Sequence, residues 1–176
     1  SFADQAMIFK RKHNWLMCVL YLGTFGSFIG YAAGFPLLIK SQFPNVTPLA
    51  YAWLGPLVGA VVRPFGGWLA DKLSGARVTL WNFIVMAIAV VGVTVFLPSA
   101  GNEGHFGGFF VCFLVLFLTT GIGNGSTFRM IPVIFLTEAM RGVDKNNAAA
   151  VAQANKEGNT LDAATLGFTA AIAAYG

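Results

Sequence analysis

Charge is what this sequence has least of. Charged residues make up 10% of its 176 positions, whereas a soluble domain carries about 25% and needs them to cover its surface. Hydrophobic residues account for 56%, with 17 Phe, four Trp and four Tyr, and the mean hydropathy is +0.69. That balance excludes a soluble enzyme, a nucleic-acid-binding domain and a disordered chain. Cysteine is scarce as well: Cys18 and Cys112 lie in apolar runs with no second Cys or His at ligand spacing. Neither a disulfide framework nor a metal site is indicated, and two small buried hydrophobes is the plain reading. The sequence has no nucleophile–base pair, phosphate-binding glycine loop or nucleotide motif, so catalysis, a cofactor and ATP-driven transport lack support. The expected class is an all-α integral membrane protein.

Apolar residues run continuously over about Trp15–Ile39, Leu49–Ala70, Val78–Leu97 and Phe106–Phe135, and a further run opens near Ala163. A helix crosses the hydrocarbon layer in ~20 residues, so each of the first four runs is long enough. Strands of a membrane barrel would instead alternate over ~10 residues. The expected organisation is a lead-in over 1–14, four membrane helices over 15–135, a connector over 136–162 with a short surface helix near Asn147–Ala154, and a cut fifth helix over 163–176. The chain opens on Ser1 with no cleavable signal pattern and stops inside an apolar run, which reads as an internal piece of a longer polypeptide. Lys10, Arg11, Lys12, Lys72, Arg77, Arg141, Lys145 and Lys156 fall on one side of this layout and Lys40 alone on the other. That bias makes the lead-in, the second connector and the long connector cytoplasmic. The net charge of +4 is therefore a topology signal, and no nucleic-acid partner is expected.

Two basic residues escape this pattern. Arg63 and Arg129 sit inside apolar runs, where an arginine costs at least ~2.5–3.5 kcal/mol unless it is paired or hydrated. All seven acidic residues fall outside the complete runs, so the sequence offers no carboxylate partner. Backbone carbonyls, an acid elsewhere in the polypeptide and a bound anion remain open for Arg63. Arg129 lies nearer the cytoplasmic end and has the further option of snorkelling. Around Arg63 stand Gly59, Pro64, Gly66 and Gly67; around Arg129 stand Gly125, Ser126 and Pro132. Small residues on one face leave a cleft beside each guanidinium and let another helix approach closely. On the first run Gly26, Gly30 and Gly34 form a stripe spaced by four, expected to pack closely. Tyr21 and Phe25 share a face one turn apart. They either pack or present a ring and a hydroxyl to a flat ligand, and periodicity does not choose. His13 and His105 read as surface histidines.

The second connector reads Gly67-Trp-Leu-Ala-Asp71-Lys72-Leu-Ser-Gly75-Ala-Arg77. It resembles the cytoplasmic-loop motif of the major facilitator superfamily, which would make Gly67, Asp71, Lys72, Gly75 and Arg77 a conformational latch and the complete runs helices seven to ten of twelve. The segments from Tyr21 to Phe35, Gly59 to Gly67 and Gly123-Asn-Gly-Ser-Thr-Phe128 together resemble the C-terminal half of NarK/NarU-type nitrate/nitrite porters, over nearly the whole chain. This resemblance implies that Arg63 is a substrate arginine and that Tyr21 and Phe25 are pocket aromatics. It also implies that Gly167 and Gly176 belong to a glycine-rich nitrate signature on the eleventh helix. Asn124, Ser126 and Arg129 form a second tier; Arg129 departs from the neutral polar residue of the family pattern.

The partners implied are nitrate and nitrite, the lipid bilayer of the cell inner membrane, and a missing N-terminal half carrying a second substrate arginine. Guanidinium and nitrate are both flat, and a fork of donors binds two oxygens at once. Two arginines held apart by like charge and bridged by one anion predict nitrate/nitrite exchange by alternating access. Proton symport, another small anion, and a non-transporting scaffold or sensor stand as alternatives.

Overall fold

A computed structural model describes residues 7–99, 103–144 and 146–175. Among these residues there is no strand. The long helices are α1 (Lys12–Gln42), α2 (Leu54–Leu73), α3 (Gly75–Phe96), α4 (Phe106–Ala139) and α5 (Ala148–Ala174). A short turn of helix over Pro48–Tyr51 leads into α2.

Helices α1, α3 and α4 are long and apolar enough to cross a membrane. The chain is accordingly a multi-pass membrane protein. Helix α2, expected as a fourth such span, has 20 residues and reaches about 30 Å. It is less apolar than the others because it contains Arg63, Asp71, Lys72 and four glycines. Its composition suits a helix that faces a polar cleft more than lipid.

The expected turn over Asp71–Arg77 is almost absent. Helix α2 runs to Leu73 and α3 starts at Gly75, so Ser74 alone makes the turn, with φ at 75° and ψ at 126°. Helix α5 is the larger departure. It starts at Ala148, so most of the stretch expected as connector is one helix with the fifth apolar run. Asn147 caps it by accepting from the Ala150 amide at 3.2 Å, and its alanines are the strongest helix formers. Its buried residues, from Ala154 and Gly158 through Leu161 and Thr165 to Thr169 and Ala173, recur every three or four positions. Hydropathy registers depth in a membrane, whereas this helix is specified by small residues on one face. Gly158 packs on Leu136 and Ala139 of α4, and Thr169 lies 3.5 Å from the sulfur of buried Cys18.

Helices α2 and α4 run parallel with matched four-residue spacing. A Cβ on Gly59 would meet the Phe28 ring and the Phe117 carbonyl, one on Gly121 the Gly59 carbonyl, and one on Gly125 the Arg63 carbonyl. Glycine lets the two backbones touch, and this contact fixes the height of Arg63 against α4. The stripe on α1 behaves differently from expectation: Gly26 is buried, but nothing lies within 4 Å of a Cβ at Gly30 or Gly34. Among the described residues those two glycines pack against no neighbour.

Two apolar clusters lie along the bundle. One joins Phe35 and Ile39 of α1 to Phe109, Phe113 and Phe117 of α4. The other joins Met17 of α1 to Ile131 and Phe135 of α4 and Leu161 of α5. On α1 and α4 the stretches between these clusters carry Tyr21, Phe25, Phe28 and Asn124. At one end of the bundle His13 pairs with Glu138 through Nδ1 and Oε1 at 2.7 Å. At the other, His105 caps α4 by accepting from the Gly108 amide at 2.9 Å. Both histidines are thus engaged rather than merely on the surface.

Candidate anion-binding cleft

Between the apolar clusters, α1 departs from regular α geometry. Leu22–Gly26 form a π turn, an arrangement often found at functional sites, and Thr24 bonds back to the Leu20 and Tyr21 carbonyls at 3.2 and 3.4 Å. Phe25 is carried on this wider turn. Its ring stacks on Tyr21 at 5.2 Å with 12° between planes, and on Phe28 at 6.4 Å and 10°. The guanidinium carbon of Arg63 lies 5.0 Å from the Phe25 centroid and 5.8 Å from that of Phe28. Cation–π attraction favours this seat. The rings therefore hold the guanidinium instead of leaving Phe25 free for a ligand.

Arg63 faces a cleft of about 490 Å³ lined by Tyr21, Gly67, Asn124, Phe128, Arg129 and Leu166 among others. Its Nη2 is buried with no hydrogen-bond partner, and so are both amide atoms of Asn124, a residue only 2% exposed. Buried polar groups in native structures are nearly always satisfied. Three unpartnered polar atoms on residues of one cleft, two of them donors, mark a place where a ligand or water belongs. The donors suit an anion. Among the described residues no carboxylate pairs with Arg63.

Arg129 overturns one sequence-based expectation, because it has a carboxylate partner. Its Nε donates to Asp71 Oδ1 and Oδ2 at 2.9 and 3.1 Å. Asp71 lies on helical backbone rather than in a loop, and the parallel register of α2 and α4 brings it beside Arg129. Both side chains are about half exposed, at 58% and 48%, so solvent screens the pair and leaves it exchangeable.

Of the other expected residues, Ser126 is spent elsewhere: its hydroxyl donates to the Gly75 carbonyl at 3.3 Å and lies 3.4 Å from the Thr79 hydroxyl. Gly167 is exposed and does not line the cleft, whereas its neighbour Leu166 does. Gly176 lies outside the described residues. In the loop motif, Gly67 lines the cleft, Asp71 holds Arg129, and Gly75 leaves room for Met130. The Lys72 ammonium sits 4.7 Å over the Trp68 ring, and Arg77 is exposed. Phe28, Phe128 and Leu166 were not foreseen. The i, i+3 spacing of Phe25 and Phe28 was the one available signal for the first; Phe128 closes the Gly123–Phe128 segment but was given no role there, and nothing in the sequence marked Leu166.

Fold and cleft together define an all-helical integral membrane protein. No protein-family model matches the chain. Across all 176 residues it is 49% identical to the nitrate/nitrite transporter NarU of Escherichia coli K12 and 48% identical to NarU of Salmonella typhimurium LT2. It is 40% identical to the probable nitrate/nitrite antiporter NarK2 of Thermus thermophilus, again over the whole chain. Over its whole length the chain is thus similar to one part of these NarU and NarK2 proteins. It spans 38% of the length of each NarU protein and 35% of NarK2.

Proposed function

We propose that the chain forms helices seven to ten and the eleventh helix of a nitrate/nitrite transporter of the cell inner membrane, and that it supplies one side of the anion site. The observation that carries this reading is the cleft in which Arg63 Nη2 and the Asn124 amide lie buried and unpartnered. The guanidinium would take two oxygens of a flat anion, and the Asn124 amide would donate to a third. Tyr21 and Phe128, both lining the cleft, would offer ring faces to its plane. Phe25 and Phe28 would hold the guanidinium in orientation.

The counterpart arginine would come from an N-terminal half, with the anion bound at the interface of the two repeats. An empty carrier would then set two cations against each other on closing, and the anion would remove that repulsion, which favours exchange over uniport. Helices α1 to α4 would hold acids only near their cytoplasmic ends, Asp71 beside Arg129 and Glu138 beside His13, which gives proton symport no support from these four helices. Asp71 and Arg129 would open and close the cytoplasmic end with Gly67 and Gly75. No enzymatic role is proposed.

The test is counterflow in liposomes containing the intact parent protein. Nitrite loaded inside is expected to drive nitrate uptake, with the same rate after an ionophore has collapsed any proton gradient. Uptake that needs the gradient would replace exchange with symport. Uptake without any internal anion would contradict obligatory coupling.

A further inference from the structure

The loop motif points two ways. Asp71 turns to Arg129 beside the cleft, whereas Lys72 and Arg77 line a separate groove of about 560 Å³ between α2 and α3, floored by α4. Apart from Asn82 and Thr119, the rest of its lining is apolar, including Leu69, Trp81, Val85 and Leu118, and no acidic residue contributes. The two cations lie close to Ser74, where α2 turns into α3; Trp81 and Val85 follow one and two turns further along α3. Arg77 makes no hydrogen bond or ion pair among the described residues. Trp81 is 65% exposed.

A groove with two cations at one end and apolar walls beyond them has the polarity profile of a phospholipid. The occupant can be chosen on charge. An apolar protein helix would leave both cations unmatched, and a small soluble anion would leave the apolar walls unused. Basic pockets between membrane helices favour anionic headgroups, and these cations belong to the side with the excess of Lys and Arg. We infer that this groove binds a diacyl phospholipid with an anionic headgroup, the phosphate resting on Arg77 and Lys72 and an acyl chain lying along Trp81, Val85 and Leu118. The site is independent of the anion cleft: it needs only that the chain spans a membrane. It would tie the α2–α3 turn, and through Asp71 the cytoplasmic end of the cleft, to lipid composition.

The test uses the intact parent with Trp81 as its sole tryptophan, reconstituted with phosphatidylglycerol or phosphatidylcholine brominated on the acyl chains. Brominated phosphatidylglycerol is expected to quench Trp81 at a several-fold lower mole fraction than brominated phosphatidylcholine. Lys72→Gln and Arg77→Gln should each raise the required fraction of the anionic lipid roughly fivefold. Native mass spectrometry of the unmodified parent should show retained phosphatidylglycerol that declines in Arg77→Gln, a readout that does not depend on the tryptophan substitutions. Equal quenching by both lipids, or a response unchanged in the two variants, would overturn the proposal. No quenching by either lipid would also overturn it, because a protein segment would then cover the groove.

Discussion

Arg63→Lys in the intact parent is expected to reduce nitrate/nitrite counterflow about ten- to hundredfold, the loss of a charge-assisted hydrogen bond, with undiminished yield of folded protein. Lysine keeps the charge but replaces a planar fork with a point charge on a flexible stem. It cannot donate two parallel bonds to a flat anion. Nor does its compact ammonium match the guanidinium whose carbon lies 5.0 and 5.8 Å from the Phe25 and Phe28 centroids. If Arg63 were a structural counter-charge only, lysine would serve nearly as well. Rates within twofold of wild type would count against the cleft as the anion site.

The second large effect is expected at Gly125. A Cβ there would fall on the Arg63 carbonyl oxygen and within 2.9 Å of the Gly67 nitrogen. Both are backbone atoms of α2, so no flexible side chain can yield. Gly125→Val should force the helices apart, at a cost of about 1–3 kcal/mol or more for overpacking, and displace Arg63 with them. Thermal unfolding of the purified parent should show a clear loss of stability. Gly67→Ala is the contrast, since its Cβ would meet only the Gly125 carbonyl at 3.7 Å. That variant should unfold close to wild type. Equal stability of both variants would mean that α2 and α4 do not touch at this height.

The legible parts of this protein were those that a single run of sequence specifies. Arg63 stood out because an arginine at membrane depth needs a reason, and the glycines beside it announced a close approach. Asn124 was marked only by the family resemblance, as a second-tier residue of the Gly123–Phe128 segment. What escaped was anything set by the register between helices. Arg129 and Asp71 are 58 residues apart, and only the parallel pairing of α2 and α4 joins them. The packing of α4 on α3 turns Ser126 toward Thr79 and the Gly75 carbonyl. Gly30 and Gly34 carry a packing signature with no partner among the described residues, so spacing alone could not tell a buried stripe from an open one. The helix expected near Asn147–Ala154 is there, but its continuity with the fifth apolar run was missed, because its alanines favour a helix without raising hydropathy to that of a span.

Ring orientation was equally hidden. Tyr21 and Phe25 were expected to face a ligand together, yet in the stack from Tyr21 through Phe25 to Phe28 the last two rings lie against the Arg63 guanidinium. The aromatic surface left to a bound anion is that of Tyr21 and Phe128. Under the proposed function this changes the reading of selectivity, because Phe25 would act on the anion through the arginine it holds.

The central claim is that one flat monoanion binds between Arg63 and Asn124. Its most direct test is an equilibrium titration of the purified parent by calorimetry, wild type beside Arg63→Lys, with nitrate and with perchlorate as a tetrahedral anion of equal charge. The account predicts saturable nitrate binding in wild type, much weaker perchlorate binding, and loss of the nitrate signal in the variant. Nitrate binding of equal strength in both proteins would contradict it.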